Sequence, residues 1–274
     1  MKVIKQLNSL QEELSTIGHK QIGYVPTMGA LHDGHISLID YAHQKSDYII
    51  VSIFVNPTQF NNKNDLQQYP VDLDNDLLML KNKNVDLVFC PDYNELYASE
   101  NQINVDLKGL DKVLEGNKRF GHFEGVIRVL NLFFSLINPN FAFFGEKDFQ
   151  QYLIVEQLAK QHFPNINIIP CPTSREANGL AMSSRNIRLN PLDQNKAAKI
   201  YLTLLYCKEN FNKSDIKELE ASCFKMISQF SDPEYFEIRN ANDLSKFNRV
   251  SKNYRAFVAT KLSGVRLIDN IAID

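Results

Sequence analysis

The sequence predicts an α/β chain in two parts: a larger N-terminal region built on a parallel sheet, and a smaller α+β region after it. Three observations carry that prediction. Short apolar runs at 22–25, 47–55, 85–90, 141–144 and 166–171 alternate with segments of helical spacing. The run from Asp47 to Val55 is almost continuously apolar and rich in β-branched residues, the pattern of a strand buried on both faces. From Pro191 the alternation stops, and two helices are followed by three strands, which is how a separate α+β unit is ordered.

Taken in order, Val3, Ile4, Leu7, Leu10 and Leu14 have helical spacing and predict a first surface helix over 3–16, ended by Gly18. Strand Ile22 to Val25 runs into a turn through Pro26, Gly29 and Gly34, and then into an amphipathic helix marked by Ile36, Leu38, Ile39, Tyr41 and Ala42. A strand, a glycine turn and a helix N-terminus form an anion site, because the first helical N–H groups lack internal partners and the dipole adds positive charge. His32 and His35 stand at that mouth, three residues apart, on the same side of a helical turn. They suit phosphate chemistry; no His or Cys cluster completes a metal set, and a plain turn role is the competing reading.

The strand at 47–55 delivers Asn56 and Gln59 to its C-terminal end, where ligands sit in open α/β sheets. Asn61 to Asn64 is a polar loop and Asp72 to Lys83 a helix whose first turn is enriched in Asp72, Asp74 and Asp76, in keeping with the dipole; outer-sphere contact to Mg²⁺ is the weaker reading. After strand Val85 to Cys90, the stretch Gly116 to Gly125 is expected to be a basic, glycine-bearing loop before a helix over Val126 to Ile137. Strand Phe141 to Phe144 delivers Gly145-Glu146-Lys147-Asp148-Phe149-Gln150-Gln151 and a helix to His162. A lysine at a helix N-terminus asks for a nearby anion. Strand Ile166 to Cys171 closes the first region between Pro170 and Pro172, and residues 173–186 form a loop with two arginines and paired serines. Helices are expected over Ala197 to Lys208 and Ile216 to Phe230, and strands over Tyr235 to Ile238, Arg255 to Lys261 and Arg266 to Ile273, as an antiparallel sheet with one wet face.

Composition narrows the classes. The chain has 274 residues, 44% hydrophobic and 23% charged, an ordinary soluble globular balance. A net charge of −2 gives no case for bulk nucleic-acid binding. Cys90, Cys171, Cys207 and Cys223 are widely spaced, as in a reduced, cytoplasmic protein. Met1 to Leu14 lacks the apolar core of a signal peptide, and no apolar run approaches the about 20 residues of a membrane span.

Four motifs, in order and over essentially the whole chain, resemble those of the pantothenate synthetase (pantoate–β-alanine ligase) family: Pro-Thr-Met-Gly-Ala-Leu-His-Asp-Gly-His at 26–35, Phe-Val-Asn-Pro-Thr-Gln-Phe at 54–60, Gly-Glu-Lys-Asp-Phe-Gln-Gln at 145–151 and Met-Ser-Ser-Arg-Asn at 182–186. The resemblance implies a Rossmann-like fold of the nucleotidylyltransferase type, with residues 1–173 binding nucleotide and pantoate and residues 174–274 forming an α+β lid. It implies ATP, pantoate and β-alanine as substrates, Mg²⁺ with the ATP, a pantoyl-adenylate intermediate, and a homodimer. Carried over by motif, Met28, Gly29, Ala30, Leu31, His32, Asp33, Gly34 and His35 line the ATP site, with His32 and His35 on the phosphates and His35 as the catalytic histidine. Gly145, Glu146, Lys147 and Asp148 meet the nucleotide, Lys147 as a catalytic cation, while Ser174, Met182, Ser183, Ser184 and Arg185 close over it. Gln59 and Gln151 hold pantoate, and Gln59 also meets β-alanine. Thr58, Ser174, Asn178 and Glu124 depart from the commoner family pattern, and Arg128, one turn on from Glu124, is the candidate substitute for a phosphate-binding arginine. A nucleotidylyltransferase for a phosphorylated substrate and a non-catalytic nucleotide-binding module are the rival functions.

Overall fold

A computed structural model of the protein describes residues 1–98, 100–248 and 252–273. The chain forms two compact units: Met1–Glu146 with Gln151–Pro172, and Lys147–Gln150 with Thr173–Asp274, of which Asp274 lies outside the described residues.

The first unit holds a six-stranded sheet made of β1 (Lys2–Ile4), β2 (Ile22–Thr27), β3 (Tyr48–Ile53), β4 (Leu87–Phe89), β5 (Phe141–Gly145) and β6 (Asn167–Cys171), in the order β1-β4-β3-β2-β5-β6. All its pairings are parallel. Successive residues of β2 serve opposite faces. Tyr24, fully buried, meets Phe133 and Phe134 of α7 (His122–Ile137) at ring separations of 5.9 and 6.3 Å. Val25 joins Val51, Val88 and Phe143 against Ile36, Leu38, Ile39 and Ala42 of α2 (Asp33–His43). The strands are therefore apolar throughout because both faces are covered by helices. Pro26 fits inside β2 because pairing with β5 is confined to Gly23 and Tyr24, leaving the missing N–H beyond that ladder.

Some expected elements take a different form. The first helix over 3–16 is split: Lys2–Ile4 is β1, paired with Leu87–Phe89, and α1 is Leu7–Ile17. The β-branched pair Val3-Ile4 satisfies its backbone in the sheet edge, a long-range pairing that overrides the local helical spacing. The polar loop at 61–64 contains the start of α3 (Lys63–Gln67), capped by the Asn62 side chain, and α4 is Leu73–Asn82. A short α5 (Tyr93–Tyr97) is capped by Asp92. Gly116 to Gly125 is not one open loop, since α6 (Leu114–Lys118) ends inside it and α7 begins at His122, entered through Gly121 at φ 79°. Gly125 lies within α7 for steric reasons: a Cβ there would stand 2.4 Å from the Thr58 carbonyl oxygen. After β5 comes a single 3₁₀ turn, Glu146–Asp148, and then α8 (Phe149–His162).

The second unit contains α9 (Pro191–Ala197), α10 (Lys199–Asn210), α11 (Ile216–Ser228) and an antiparallel sheet of β7 (Asp232–Asn240), β8 (Tyr254–Leu262) and β9 (Val265–Ala272), in that order. Leu204, Cys207, Leu219, Cys223 and Ile227 pack on Phe236, Ile238, Ala256 and Val258. The sheet does not have the expected wet face along β8, where Tyr254 to Thr260 are all buried. Phe149 covers that side, 6.0 Å from the Phe257 ring and beneath the Arg255 guanidinium at 4.1 Å. An arginine stacked on an aromatic ring tolerates burial that a solvated charge would not.

Candidate active site

The first unit's sheet changes winding direction between β2 and β5: strand number falls from β4 through β3 to β2 on one side and rises from β5 to β6 on the other. Ligands of open α/β sheets bind beyond the carboxyl ends of strands at such a switch point. Met28 to His35 leave the end of β2, and Gly145 and Glu146 stand at the end of β5, so these residues share that edge.

The turn after β2 is built from left-handed backbone. Gly29 has φ 80° and Ala30 has φ 49°. Thr27 Oγ1 donates to the Ser52 carbonyl at 2.8 Å and accepts from Gly29 N–H at 3.3 Å. The Asp76 carboxylate, on α4 and only 1% exposed, accepts Ala30 N–H at 2.9 Å and Leu31 N–H at 2.7 Å. Burial pushes the Asp76 carboxyl upward, and the two N–H bonds oppose that shift. Asp72, by contrast, caps α4 through Asn75 N–H. The acidic first turn of α4 thus divides between a cap and a clamp on the glycine turn, whereas the sequence pattern alone assigns all three aspartates to the helix dipole. The overlooked signal is that Asp76 falls on the apolar stripe, one turn from Leu73 and from Leu80.

His32 and His35 cap α2 reciprocally. The His32 Nδ1 accepts Gly34 N–H at 3.1 Å, and the His35 Nδ1 accepts His32 N–H at 3.3 Å. The rings lie 4.1 Å apart. A nitrogen that accepts carries no proton, so in this arrangement each ring bears its proton on Nε2. Both Nδ1 atoms are thus engaged in the cap, and the two imidazoles stand at the positive end of α2, with Asp33 exposed in the first turn.

Gln59 closes the 3₁₀ turn Pro57–Gln59 after β3. Its side chain donates to Met28 Sδ at 3.0 Å and accepts from Asn56 Nδ2 at 3.1 Å, which ties the second motif to the first. Asn56 itself is buried. Its Oδ1 accepts from Thr58 N–H, from Thr58 Oγ1 at 2.9 Å and from Tyr97 O–H at 2.9 Å; its Nδ2 also donates to the Gly125 carbonyl at 3.0 Å. The amide expected to contact ligand is instead engaged in fixing Gln59. His122 adds a further support missed in the sequence: its Nδ1 donates to the Gln59 carbonyl at 2.8 Å. Arg128 does not offer a spare guanidinium. It forks onto Glu100 at 2.5 and 2.7 Å and covers the Tyr97 ring. Gln151, half-buried, lies in the first turn of α8.

The remaining candidates belong to the second unit. Lys147 Nζ lies 3.7 Å from Asp148 Oδ2, and the Lys147 carbonyl accepts from Asn270 Nδ2 at 2.9 Å. Ser174 and Met182 face each other across a tight hairpin through a 3.0 Å backbone bond. The hairpin turns at Gly179, whose φ of 91° and 2.7 Å Cβ approach to Tyr201 exclude a side chain. Arg175 grips Asp269 with two bonds, 2.6 and 2.9 Å, and stacks on Tyr201. One of the two loop arginines is therefore structural. Ser183 caps the 3₁₀ turn Ser184–Arg188, which carries Ser184 and Arg185.

A switch-point strand ending in a left-handed turn and a histidine-capped helix is the arrangement with which nucleotide-binding α/β proteins handle phosphate. Comparison with known proteins is specific. The model of the pantoate-beta-alanine ligase family matches residues 2–272. Pantothenate synthetase of Christiangramia forsetii is 45% identical over 264 residues, 93% of this chain and 92% of its own. That of Acetivibrio thermocellus is 36% identical over the full length of both. The crystal structure of pantothenate synthetase from Thermus thermophilus matches with a TM-score of 0.90 at 32% identity over 99% of each chain. A pantoate-beta-alanine ligase from Francisella tularensis, solved with beta-gamma ATP and beta-alanine, matches with a TM-score of 0.80 at 37% identity over 99% of this chain and 97% of that one. The chain belongs to the pantoate–β-alanine ligase family, the enzymes of ATP-dependent pantothenate synthesis.

Proposed function

We propose that this chain joins pantoate to β-alanine through pantoyl adenylate. A pantoate carboxylate oxygen attacks the α-phosphorus of ATP, and the bond from that phosphorus to the bridging oxygen breaks, releasing pyrophosphate. The neutral amine of β-alanine then attacks the acyl carbon and loses a proton, and AMP leaves with the former carboxylate oxygen. The attacking carboxylate needs no strong base, so the protein's work in the first step is orientation and stabilisation of phosphate charge.

The observation that carries this reading is the reciprocal cap of α2, which ties both Nδ1 atoms to backbone N–H groups and so holds two imidazoles at a helix N-terminus beside the switch point. In our reading His35 and His32 stabilise the phosphates, with Met28 to Gly34 lining the nucleotide. Gly145, Glu146, Lys147 and Asp148 meet the nucleotide, and Lys147 neutralises phosphate charge. Gln59 and Gln151 orient pantoate through neutral amides, and Gln59 also receives β-alanine, the ligand named with the Francisella tularensis structure. Ser174, Met182, Ser183, Ser184 and Arg185 also serve the nucleotide in this reading.

Mg²⁺ enters with ATP. Such an ion is held chiefly by substrate phosphates and water. When bound, it would neutralise charge on the triphosphate and on the departing pyrophosphate. A homodimer in the cytoplasm completes the proposal.

Pantoate labelled with ¹⁸O in both carboxylate oxygens tests the intermediate. The adenylate route places one label in AMP and leaves one in pantothenate. Label in inorganic phosphate, with ADP as product, would identify an acyl phosphate and refute the route.

A further inference from the structure

Asp76 is a buried carboxylate whose two oxygens both point at backbone N–H groups of the turn between β2 and α2. That turn is intrinsically unfavourable. Gly29 and Ala30 hold consecutive positive φ values, and Ala30 carries a Cβ in a region that only glycine enters freely. Directly after the two clamped N–H groups, at Ala30 and Leu31, comes His32, the cap of α2, which is bonded in turn to Gly34 and His35. A rigid series of bonds therefore runs from Asp76 to the imidazole pair. The absence of a Cβ at Gly29 is part of the same arrangement, since one would stand 2.9 Å from Asp76 Oδ2.

We infer that Asp76 is a positioning residue for adenylate formation: its carboxylate clamps the left-handed turn at Gly29-Ala30 and so fixes where the His32 and His35 imidazoles stand. The inference rests on the proposed role of those histidines at the phosphates. Its chemistry requires an acceptor at both side-chain atoms. A carboxylate supplies two; an amide of the same shape supplies one, and turns its NH₂ donor against the other backbone N–H.

The test compares wild-type protein with Asp76→Asn, measuring kcat and KM for ATP and for pantoate at several Mg²⁺ concentrations, with circular dichroism and thermal unfolding in parallel. A displaced turn lowers kcat by about 10–100-fold, because small misplacements of catalytic groups act on the transition state. KM for both substrates stays within about threefold, the split that marks loss of an interaction made in the transition state. Adding Ala30→Gly, which removes the steric cost of the left-handed turn, returns at least about threefold of the lost kcat and stabilises the fold. Wild-type kcat in folded Asp76→Asn overturns the inference. So does a loss that tracks the unfolded fraction, a loss abolished by raising Mg²⁺, or failure of both variants to fold. Wild-type protein that cleaves no ATP with pantoate present would instead overturn the proposed function, and so the two failures are distinct.

Discussion

The position of Gln59 depends on a side chain reduced to a single hydrogen atom. Gly125 in α7 lies so close to the 3₁₀ turn Pro57–Gln59 that a Cβ would meet the Thr58 carbonyl oxygen at 2.4 Å, its carbon at 2.5 Å and Gln59 N at 2.6 Å. Ordinary carbon contacts begin near about 3.5 Å, so Gly125→Ala falls about 1 Å short of the space it needs. The neighbour is backbone rather than the end of a flexible side chain, so either α7 or the turn must recede by about that amount. Two bonds are strained with it: Asn56 Nδ2 to the Gly125 carbonyl, and His122 Nδ1 to the Gln59 carbonyl. Overpacking of this kind costs about 1–3 kcal/mol. A displacement of about 1 Å at Gln59 lowers kcat/KM for pantoate by about 100-fold. Urea unfolding and initial rates across a pantoate series measure the two effects. Unchanged stability together with unchanged pantoate kinetics would refute the claim that this close approach sets the position of Gln59.

Three further outcomes follow from the same geometry. His35→Ala removes a phosphate donor and lowers kcat by at least about 100-fold while circular dichroism remains native; near-normal turnover would remove His35 from the reaction. Lys147→Ala raises KM for ATP, checked by initial rates at saturating pantoate, and an unchanged ATP dependence would contradict its place at the nucleotide. Arg175→Ala leaves the Asp269 carboxylate buried without its cation and costs about 3–5 kcal/mol at neutral pH, read by denaturant unfolding. Burial already raises the Asp269 carboxyl, and Arg175 opposes that rise. Without Arg175 the folded-state value climbs further above the unfolded one, so the deficit is largest at neutral and alkaline pH and shrinks as acid protonates the carboxyl. A deficit that grows toward acid would reverse the argument.

The legible parts of this molecule are those in which local pattern and long-range packing agree. β3 is apolar on every residue but Ser52 because α2 and α7 cover both faces of its sheet, and β-branched side chains suit that position. The histidine pair is legible as neighbours at a helix start, although the expected helical turn is a capping box instead: His32 is the extended N-cap and His35 the third helical residue, and their mutual bonds bring the rings to 4.1 Å. β1 is not: three residues at a sheet edge owe their form to a partner more than eighty positions away, Lys2 pairing with Leu87. The start of α7 is hidden because glycine at 121 and 125 resembles a loop, whereas the structure uses one for a left-handed entry and the other for backbone contact. Asn56 stands out in the sequence but with the wrong task, since an amide at a strand end serves ligand or scaffold equally well until its partners are known. The same ambiguity conceals Asp76, whose dipole role explains its position without requiring its burial.

Pantoate-dependent exchange of pyrophosphate into ATP, measured with Mg²⁺ and without β-alanine, tests the central claim most directly. Reversible adenylate formation predicts exchange that requires pantoate and disappears in His35→Ala. Folded protein that binds ATP yet exchanges nothing, while still making pantothenate when β-alanine is added, would contradict a free-standing pantoyl adenylate.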